Sequence, residues 1–264
     1  ALGLAASSVS NHINILEEAR LIKIQYQPAK KGHMKLCYKA VVEIGIDYSD
    51  KDIEPAHKAI AVEMPVGNYV ELNIRNSGYL ADSEKYLFEK DQITSMLFTP
   101  ERTGAQILGF SHGDVSYNFP NHLAAYPFYN HIEISFECCS EAPYYRNDWP
   151  SDVTVWLNGK EIATFTCPGD FGGRAGNYSP AYWPLNATQY GLLYTLTIGE
   201  NGCCLNGQPV NANVTIGDFL HEGGDHIRLK IGVKESAEHQ GGLNLFGKGF
   251  GDYPQDIVMK FKQI

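Results

Sequence analysis

The sequence lacks the features that place a chain in or across a membrane. No stretch approaches the roughly 20 uninterrupted apolar residues of a membrane-spanning helix. The first residues also lack the charged and then apolar order of a signal peptide. We therefore expect a cytoplasmic protein with no membrane partner. The length of 264 residues favours two domains, one of them large enough to bury its own core.

Several motifs of common enzyme classes are also missing. The sequence contains no H-E-x-x-H zinc motif, no P-loop, and no G-x-G-x-x-G fingerprint between a strand and a helix. Acidic residues are plentiful, and a glycosidase-like carboxylate pair such as Glu137 with Asp170 stays open as an alternative. We nevertheless expect a protein that is not an enzyme and has no catalytic residues.

Cysteine spacing argues against a metal site. The six cysteines include two adjacent pairs, Cys138 with Cys139 and Cys203 with Cys204, and the first pair lies in an apolar, strand-like run. Neighbouring residues of a strand face opposite sides of a sheet, so such a pair does not readily share a metal ion. No C-x-x-C or Cys/His spacing of the zinc type occurs. We expect buried thiols in a reducing compartment, with neither metal nor cofactor.

Charge is distributed unevenly along the chain. The whole sequence carries a formal charge of −9, which by itself disfavours a nucleic-acid partner. Residues 1–45, however, contain six basic and three acidic residues, which leaves 15 basic and 27 acidic residues for the remainder. A small basic segment beside a large acidic body is typical of a DNA-binding module joined to a domain of another kind.

The first segment has the pattern of a short amphipathic helix. Over residues 7–19, apolar side chains recur at helical spacing, and Ser7 or Ser8 suits the N-cap position. The opposite face is small and polar near its N-terminal end, with Ser7, Ser8, Ser10 and Asn11. Side chains of this kind can enter the major groove of DNA and contact base edges and phosphates.

A basic hairpin is predicted directly after this helix. Two strand-like runs, residues 23–27 and 34–42, flank a turn-forming segment that contains Lys30, Lys31 and Gly32. A basic tip beside a small polar helix places two elements with DNA-binding chemistry on one side of the module.

These residues resemble a known family of DNA-binding proteins. Residues 8–13, the apolar positions of the helix and the segment 30–32 are similar to the recognition helix and wing of ArsR-like winged-helix repressors. The resemblance implies contacts with a double-stranded DNA operator from Ser7, Ser8, Ser10, Asn11, Lys30, Lys31 and Lys35. It also implies a homodimer, because winged-helix regulators bind two-fold operators.

Two positions depart from the family pattern. Members usually have Gly where Arg20 stands, and a non-Gly residue in a left-handed helix cap costs on the order of 1 kcal/mol. The Cys-x-Cys element of the metal-sensing members does not occur in residues 1–8. A metal sensor of that type is therefore not expected.

The pattern changes after about residue 46. Helical periodicity disappears, and short alternating or apolar runs are separated by Gly, Pro, Asn and Asp turns. The predicted strands are residues 59–64, 69–74, 106–110, 115–119, 131–139, 153–157, 160–166, 192–198, 214–215, 226–233 and 256–261. Asn158-Gly159 between two of them is the strongest short hairpin signal.

Many strands without intervening helices predict an antiparallel β-sandwich, and the aromatic content with acidic, Gly-rich loops suits a jelly roll. The predicted fold is therefore mainly β. A partial winged helix-turn-helix occupies residues 1–45, a connector residues 46–57, and a large β-sandwich residues 58–264.

Three loop segments hold more polar and aromatic residues than a turn requires: residues 140–150, 168–183 and 235–250. Aromatic rings stack on the C–H face of a sugar, while Asp, Asn and Arg bond its hydroxyls. The candidate ligand-binding residues are Asp148, Trp149, Asp170, Arg174 and Trp183.

The order of these segments is similar to the C-terminal half of a group of bacterial ArsR-like regulators with a jelly-roll-like extension. The resemblance implies a transcriptional regulator whose sandwich senses a small-molecule effector, with carbohydrates as the favoured class. Alternatives remain open at this point: a carbohydrate-binding module or glycosidase-like protein without a DNA role, a dimerisation scaffold, and a Ca²⁺ ion in an Asp/Asn-rich loop.

Overall fold

The computed structural model describes residues 5–28, 33–41, 59–88, 97–126, 128–220 and 224–264. By their contacts the residues divide into two compact units, Ala1–Pro55 and Ala56–Ile264. The predicted connector over residues 46–57 lies outside the described residues, as do Lys30 and Lys31. Within the described part, no helix is both long and apolar enough to cross a membrane.

The N-terminal unit contains one helix and one hairpin in its described part. α1 spans Ala6–Glu18, and β1 (Ile22–Pro28) pairs in antiparallel fashion with β2 (His33–Lys39). Each end of α1 lies within one residue of its predicted position. No described residue of this unit is fully buried, and the apolar side chains of Ile15 and Tyr26 are 52% and 58% exposed.

The two ends of α1 are built differently. The predicted serine N-cap is wrong: the cap is Ala5, which makes no side-chain hydrogen bond, because the helix extends back through the strong helix former Ala6. At the other end Arg20 has φ 58°, the left-handed conformation expected there. Its N–H donates to the Glu17 carbonyl, and the next N–H, of Leu21, donates to the Leu16 carbonyl. Both bonds belong to the Schellman motif, which satisfies carbonyls at a helix end.

The C-terminal unit consists mainly of antiparallel strands. Its described strands are β3 Ile60–Met64, β4 Glu71–Ala81, β5 Tyr86–Phe88, β6 Ile107–Pro120, β7 His131–Cys139, β8 Ser151–Leu157, β9 Lys160–Cys167, β10 Leu192–Gly199, β11 Gly202–Leu205, β12 Gln208–Asn211, β13 His226–Val233, β14 Leu243–Phe246 and β15 Ile257–Lys262. The described part of this unit also contains two short helices, α2 (His122–Ala125) and α3 (Gly217–Leu220), and a 3-10 turn at Pro100–Gly104. The prediction of a mainly β, antiparallel architecture is confirmed.

The strands form one hydrogen-bonded network in the order β12-β11-β10-β7-β14-β6-β13-β8-β9. β15 joins β3 to β7, and β4 joins β5 to β6. The four-residue β14 pairs with both β6 and β7. It therefore links the strands from β12 to β7 with the strands from β6 to β9. At the ends of the order, the side-chain amide of Asn211 donates to the Ile162 carbonyl, which brings β12 next to β9. The sheet therefore nearly closes on itself.

The core follows the period-two pattern of the strands. Alternate residues of β13, Ile227, Leu229 and Ile231, are buried, whereas His226 before them and Arg228 between them are exposed. This alternation explains why β13 and β7 were predicted with their correct bounds. β14 is different, because all four of its residues are buried.

Several strand predictions were wrong or incomplete. The predicted break at residues 111–114 does not exist, because β6 continues through Gly113, whose φ of 122° is accessible to glycine. Residues 214–215 are not a strand. The Thr215 N–H instead donates a 2.8 Å hydrogen bond to the carboxylate of Asp218 at the start of α3. β5, β11, β12 and β14 were not predicted.

Candidate ligand-binding site

A cavity of about 430 Å³ lies beside Trp183 in the C-terminal unit, and we name it the Trp183 cavity. Its volume is within the range of small-molecule sites. Four of its lining residues are aromatic, and one carries a carboxylate. The lining consists of Tyr79, Tyr86, Glu141, Ala142, Tyr144, Trp183, Pro184, Asn186, Ala187 and Thr188.

Three separate segments supply this lining. Tyr79 lies on β4 and Tyr86 begins β5, residues 141–144 follow β7, and residues 183–188 belong to the long connection between β9 and β10. The sheet brings the first two segments together, because β6 pairs with β4 on one edge and with β14 on the other, and β14 pairs in turn with β7.

The aromatic wall of the cavity is fixed by ring contacts. The rings of Tyr86 and Trp183 stack at 4.7 Å and 30°, and the Tyr79 ring lies 5.9 Å from Trp183. Phe250 packs edge-on against the indole at 5.0 Å. The indole N–H donates a 2.7 Å bond to the Thr188 carbonyl. Trp183 is only 5% exposed, so its ring is held in one place before any ligand arrives.

A continuous hydrogen-bonded chain runs beneath the cavity, and we call it the polar floor; its members Tyr79 and Thr188 belong to the lining. The Tyr79 hydroxyl donates to Asn244 Oδ1 at 2.6 Å. The amide of Asn244 donates to the Ser140 carbonyl at 2.7 Å and to the Thr188 hydroxyl at 3.5 Å. The Thr188 hydroxyl donates in turn to Asp170. Buried polar groups connected in this way are rigid and resist rearrangement.

Gly109 makes this floor possible. It lies on β6 directly between its partners Tyr79 on β4 and Asn244 on β14. A Cβ at this position would come within 2.3 Å of both Asn244 Oδ1 and the Tyr79 ring. Only a residue without a side chain therefore lets the Tyr79 hydroxyl cross the strand and reach Asn244.

The floor contains two titratable groups, the Asp170 carboxyl and the Tyr79 hydroxyl, whose neutral forms are favoured by burial. Asp170 is completely buried, and burial raises its pKa to about 7, with the Glu141 charge adding to the effect. Hydrogen bonds from the Ala142 N–H and the Thr188 hydroxyl act in the opposite direction. Burial also holds the pKa of the Tyr79 hydroxyl well above its usual range, reinforced by the charges of Asp170 and Glu141.

Tyr144 occupies an unusual conformation in the lining. Its φ is 69°, in the left-handed region, and its side chain is 75% exposed. Bulky non-glycine residues rarely adopt this conformation, and such outliers concentrate at ligand sites. Tyr144 therefore presents an aromatic ring to solvent at the edge of the cavity at a cost in backbone strain.

The structure brings together two of the five predicted ligand residues. Trp183 lines the cavity, and Asp170 belongs to the polar floor beneath the lining residue Thr188. The other three lie outside the lining. Trp149 donates its indole N–H to the Glu141 carbonyl, Arg174 forms an ion pair with Asp252 while covering the Tyr190 ring, and Asp148 is exposed.

Sequence reasoning missed most of the lining. Glu141 and Tyr144 belong to the first polar and aromatic segment, and Asn244 to the third, so the composition signal covered them without singling them out. Tyr79 and Tyr86 lie on strands about 100 residues upstream of Trp183, and no local signal connects them with it.

The proposed carboxylate pair does not share this cavity. Glu137 is completely buried, and its carboxylate accepts bonds from the backbone N–H groups of Gly191, Asp252 and Tyr253. Burial raises its pKa to about 7, partly offset by these bonds. Glu137 does not line the cavity above Asp170. These hydrogen bonds hold the loop that precedes β10 and the loop between β14 and β15.

Residues 109–113 read Gly-Phe-Ser-His-Gly and match the letters of the G-x-S-x-G nucleophile motif. In hydrolases that motif forms a sharp turn between a strand and a helix, which exposes the serine. Here the five residues lie inside the continuous strand β6. The match therefore has a different local structure from a nucleophile elbow.

The cysteines are free thiols. Cys138, Cys139, Cys167 and Cys203 are buried, as expected, whereas Cys37 on β2 is exposed, because the hairpin of the N-terminal unit has no covering layer among its described residues. Within the part of the chain that the structure describes, no group of three His, Cys, Asp or Glu side chains is arranged to hold a metal ion.

The predicted DNA-contacting residues lie in the N-terminal unit. Ser7, Ser8, Ser10 and Asn11 are exposed on α1. Lys35 on β2 is exposed as well, and its Nζ lies 3.5 Å from Oδ1 of Asn14 on α1. This contact places a lysine of the hairpin beside the polar face of the helix.

Comparisons with known proteins add little. No model of a known protein family matches the chain, and no curated protein does. Among solved structures, the chain is similar to part of the insecticidal delta-endotoxin Cry8Ea1 from Bacillus thuringiensis, with a TM-score of 0.27 and 12% identity. The match covers 62% of this chain and 20% of the toxin chain, so the chain spans about a fifth of that protein. A likeness of this size says nothing about function.

Proposed function

We propose that the chain is a ligand-responsive DNA-binding regulator of the ArsR-like winged-helix type. Its C-terminal unit binds a small hydroxylated molecule, of the carbohydrate class, in the Trp183 cavity. The observation that supports this most strongly is the combination of a fixed aromatic wall and a hydrogen-bonded polar floor around one cavity of about 430 Å³.

The chemistry of the wall and floor suits a sugar. The apolar C–H face of a pyranose packs on accessible aromatic rings such as those of Tyr86 and Tyr144, while its hydroxyls need nearby donors and acceptors. Asn186, Thr188 and Glu141 carry such groups in the lining. A domain used only for dimerisation has no need for an aromatic-lined cavity of this volume, which makes the scaffold alternative less favourable.

The proposal for DNA binding depends on the N-terminal unit. In it α1 is the recognition helix and β1 with β2 form the wing. Operator contacts come from Ser7, Ser8, Ser10, Asn11, Lys30, Lys31 and Lys35. The exposed polar face of α1, with Lys35 beside it, supports this assignment.

Two copies of the chain are proposed to bind a two-fold operator as a homodimer. Ligand binding then alters operator affinity to the extent that the ligand prefers one of two arrangements of the winged helices.

Ligand binding is tested by isothermal titration calorimetry on the full chain with D-glucose, D-galactose and D-xylose. We expect at least one sugar to bind. Replacement of the exposed cavity residue, Tyr144→Ala, should lower the affinity for that sugar about tenfold, which is the effect of losing one aromatic contact. Tyr178→Ala is the matched control, because Tyr178 is an exposed aromatic residue outside the lining. Binding that Tyr144→Ala leaves unchanged, or no binding of any sugar, would contradict the proposal.

A further inference from the structure

The hydroxyl of Thr188 has two acceptors within reach of its single proton. It lies 3.0 Å from Oδ2 of Asp170. It is also placed to donate to the hydroxyl of Tyr79: burial holds the pKa of Tyr79 well above its usual range, and a hydrogen bond from Thr188 acts in the opposite direction. A hydroxyl has one proton to donate and two lone pairs that accept, so Thr188 serves one of these two acceptors at a time.

The protonation state of Asp170 decides between the two acceptors. An ionised carboxylate only accepts hydrogen bonds, and Asp170 is placed to accept them from the Thr188 hydroxyl, the Ala142 N–H and the Cys139 thiol. A protonated carboxyl group must also donate one bond. The Thr188 oxygen is a good acceptor at 3.0 Å, whereas the Cys139 sulfur is a weak one. When Asp170 donates to Thr188, the Thr188 proton turns to Tyr79.

Asp170 changes its protonation state in the neutral pH range. Its side chain is completely buried, and burial raises its pKa to about 7, with the Glu141 charge adding to the effect. Among the described residues, the other titratable groups that interact with it are Cys139 on β7, Cys167 at the end of β9 and Tyr79 on β4. Burial raises the pKa of all three, so each keeps its proton at pH 7.

The two arrangements present the Thr188 oxygen to the cavity in different states. With Asp170 ionised, the donor to this oxygen among the described residues is the Asn244 amide, at 3.5 Å, which leaves one of its two lone pairs for a ligand hydroxyl. With Asp170 protonated, Asp170 and Asn244 occupy both lone pairs. A ligand hydroxyl that donates to Thr188 is therefore accepted in the first state and refused in the second.

We propose that Asp170 is a positioning residue that switches the Trp183 cavity between two hydrogen-bonding states, of which the ionised state binds the sugar more tightly. The Thr188 hydroxyl carries the change from the buried carboxyl group to the lining. By linkage, sugar binding favours release of the Asp170 proton. This inference rests on the proposed function, because it states how pH regulates the site at which the sugar binds.

The first test needs only the wild-type chain. Its affinities for D-glucose, D-galactose and D-xylose are measured by isothermal titration calorimetry at pH 5.5 and pH 8.5, on either side of the pKa of Asp170. We expect the sugar that binds to do so about fivefold more tightly at pH 8.5, the effect of one hydrogen bond. Equal affinity at the two pH values, or tighter binding at pH 5.5, would overturn the proposal.

Variants trace the effect to the bond between Asp170 and Thr188. Asp170→Asn keeps an oxygen that accepts the Thr188 hydroxyl but has no titrating proton, so the affinity should become independent of pH. Thr188→Val should abolish the pH dependence, whereas Thr188→Ser should retain it. Glu137→Gln is the matched control, because burial raises the pKa of Glu137 to about 7 as well, and it should leave the dependence in place. A dependence that survives Asp170→Asn belongs to another group and would contradict the proposal.

A measurement without ligand separates this inference from the proposed function. In protein labelled with ¹³C at Cζ of tyrosine, the Tyr79 resonance is assigned by its loss in Tyr79→Phe. It should shift with a midpoint near pH 7 as the Thr188 proton turns toward Tyr79 or away from it. Thr188→Val should remove this shift. A shift that persists without the Thr188 hydroxyl would come from the Asp170 charge alone, and the switch through Thr188 would be wrong.

The outcomes separate the two proposals. If a sugar binds with the same affinity at both pH values, the proposed function stands and the switch is wrong. If no sugar binds, the proposed function is wrong, and the Tyr79 resonance alone decides whether Asp170 switches the polar floor. The wild-type calorimetry and Asp170→Asn decide the matter if Thr188→Val fails to fold.

Discussion

The hydroxyl of Thr188 donates a 3.0 Å hydrogen bond to Oδ2 of Asp170. Thr188 lines the Trp183 cavity, and Asp170 is completely buried beneath it. The same carboxylate oxygen accepts the N–H of Ala142, a second lining residue, at 2.9 Å. A buried titratable group is thus bonded directly to two residues that line the cavity.

The first prediction concerns the pH dependence of stability. Burial raises the pKa of Asp170 to about 7, well above its usual value of 3.8. Between about pH 4 and pH 7 the folded protein therefore holds a proton that the unfolded chain has released, so the stabilisation is present at pH 4 and is lost as the pH rises through 7. The free energy involved is at most about 4 kcal/mol.

Asp170→Asn should flatten this profile. The amide stays neutral throughout, and its oxygen can accept both bonds that Oδ2 now accepts. Urea unfolding at pH 5, 6, 7 and 8 measures the slope, with Asp148→Asn as a control at an exposed position. Part of the slope should remain in the variant, because burial raises the pKa of Glu137 to about 7 as well. An unchanged slope in Asp170→Asn would show that Asp170 is not the group responsible.

The second prediction concerns Gly109. Gly109→Ala forces the Tyr79 ring away from Asn244, because a Cβ would lie 2.3 Å from both. We expect a loss of about 1–3 kcal/mol in the free energy of unfolding, the usual cost of overpacking, together with weaker sugar binding. Gly104→Ala is the control, since a Cβ there meets no atom within 4 Å and should change stability by less than about 0.5 kcal/mol. Equal effects of the two substitutions would rule out the crossing of Tyr79 over Gly109.

The third prediction separates strain from contact at Tyr144. Tyr144→Gly and Tyr144→Ala both remove the ring, so both should weaken sugar binding to the same extent. Only glycine adopts φ 69° without strain, so Tyr144→Gly should be more stable than Tyr144→Ala by about 1 kcal/mol. Thermal unfolding gives this difference, and equal stability of the two variants would mean that the left-handed conformation is not retained.

The fourth prediction is the oligomeric state. The proposed operator recognition requires two copies, and the N-terminal unit exposes the large apolar side chains of Ile15, Leu16, Tyr26, Met34 and Tyr38. Light scattering coupled to size exclusion should therefore give twice the chain mass of 29.3 kDa. A mass of one chain at micromolar concentration would contradict the dimer.

Local sequence patterns were sufficient to predict many strands of the sheet. β7 and β13 were predicted with their correct bounds because their residues form clear apolar or alternating runs. The hairpin of β11 and β12 was missed although it carries the same signal as Asn158-Gly159. Asn206 and Gly207 have φ values of 48° and 79° and form its turn, as Asn158 and Gly159 do with 48° and 80°. That hairpin was predictable from the sequence.

Other elements could not be found from local sequence. β14 is four residues long, is buried on both faces and is flanked by Gly242 and Gly247, so it shows neither alternation nor length. The full lining of the cavity could not be predicted from local sequence either. Trp183 and Asp170 were found through composition, but Tyr79 reaches them only because β4, β6 and β14 are neighbours in the sheet. That neighbourhood is a property of the topology.

The most direct test of the account is fluorescence anisotropy of the full chain with a DNA duplex from its own promoter, at two salt concentrations and with or without the sugar that binds in calorimetry. We predict tight, salt-sensitive binding that the sugar alters. Lys30→Ala/Lys31→Ala should weaken it and lower the slope of log affinity against log salt by about 2, one for each lost phosphate contact. Absence of binding to any duplex at low salt, or binding that the sugar leaves unchanged, would contradict a ligand-responsive DNA-binding regulator.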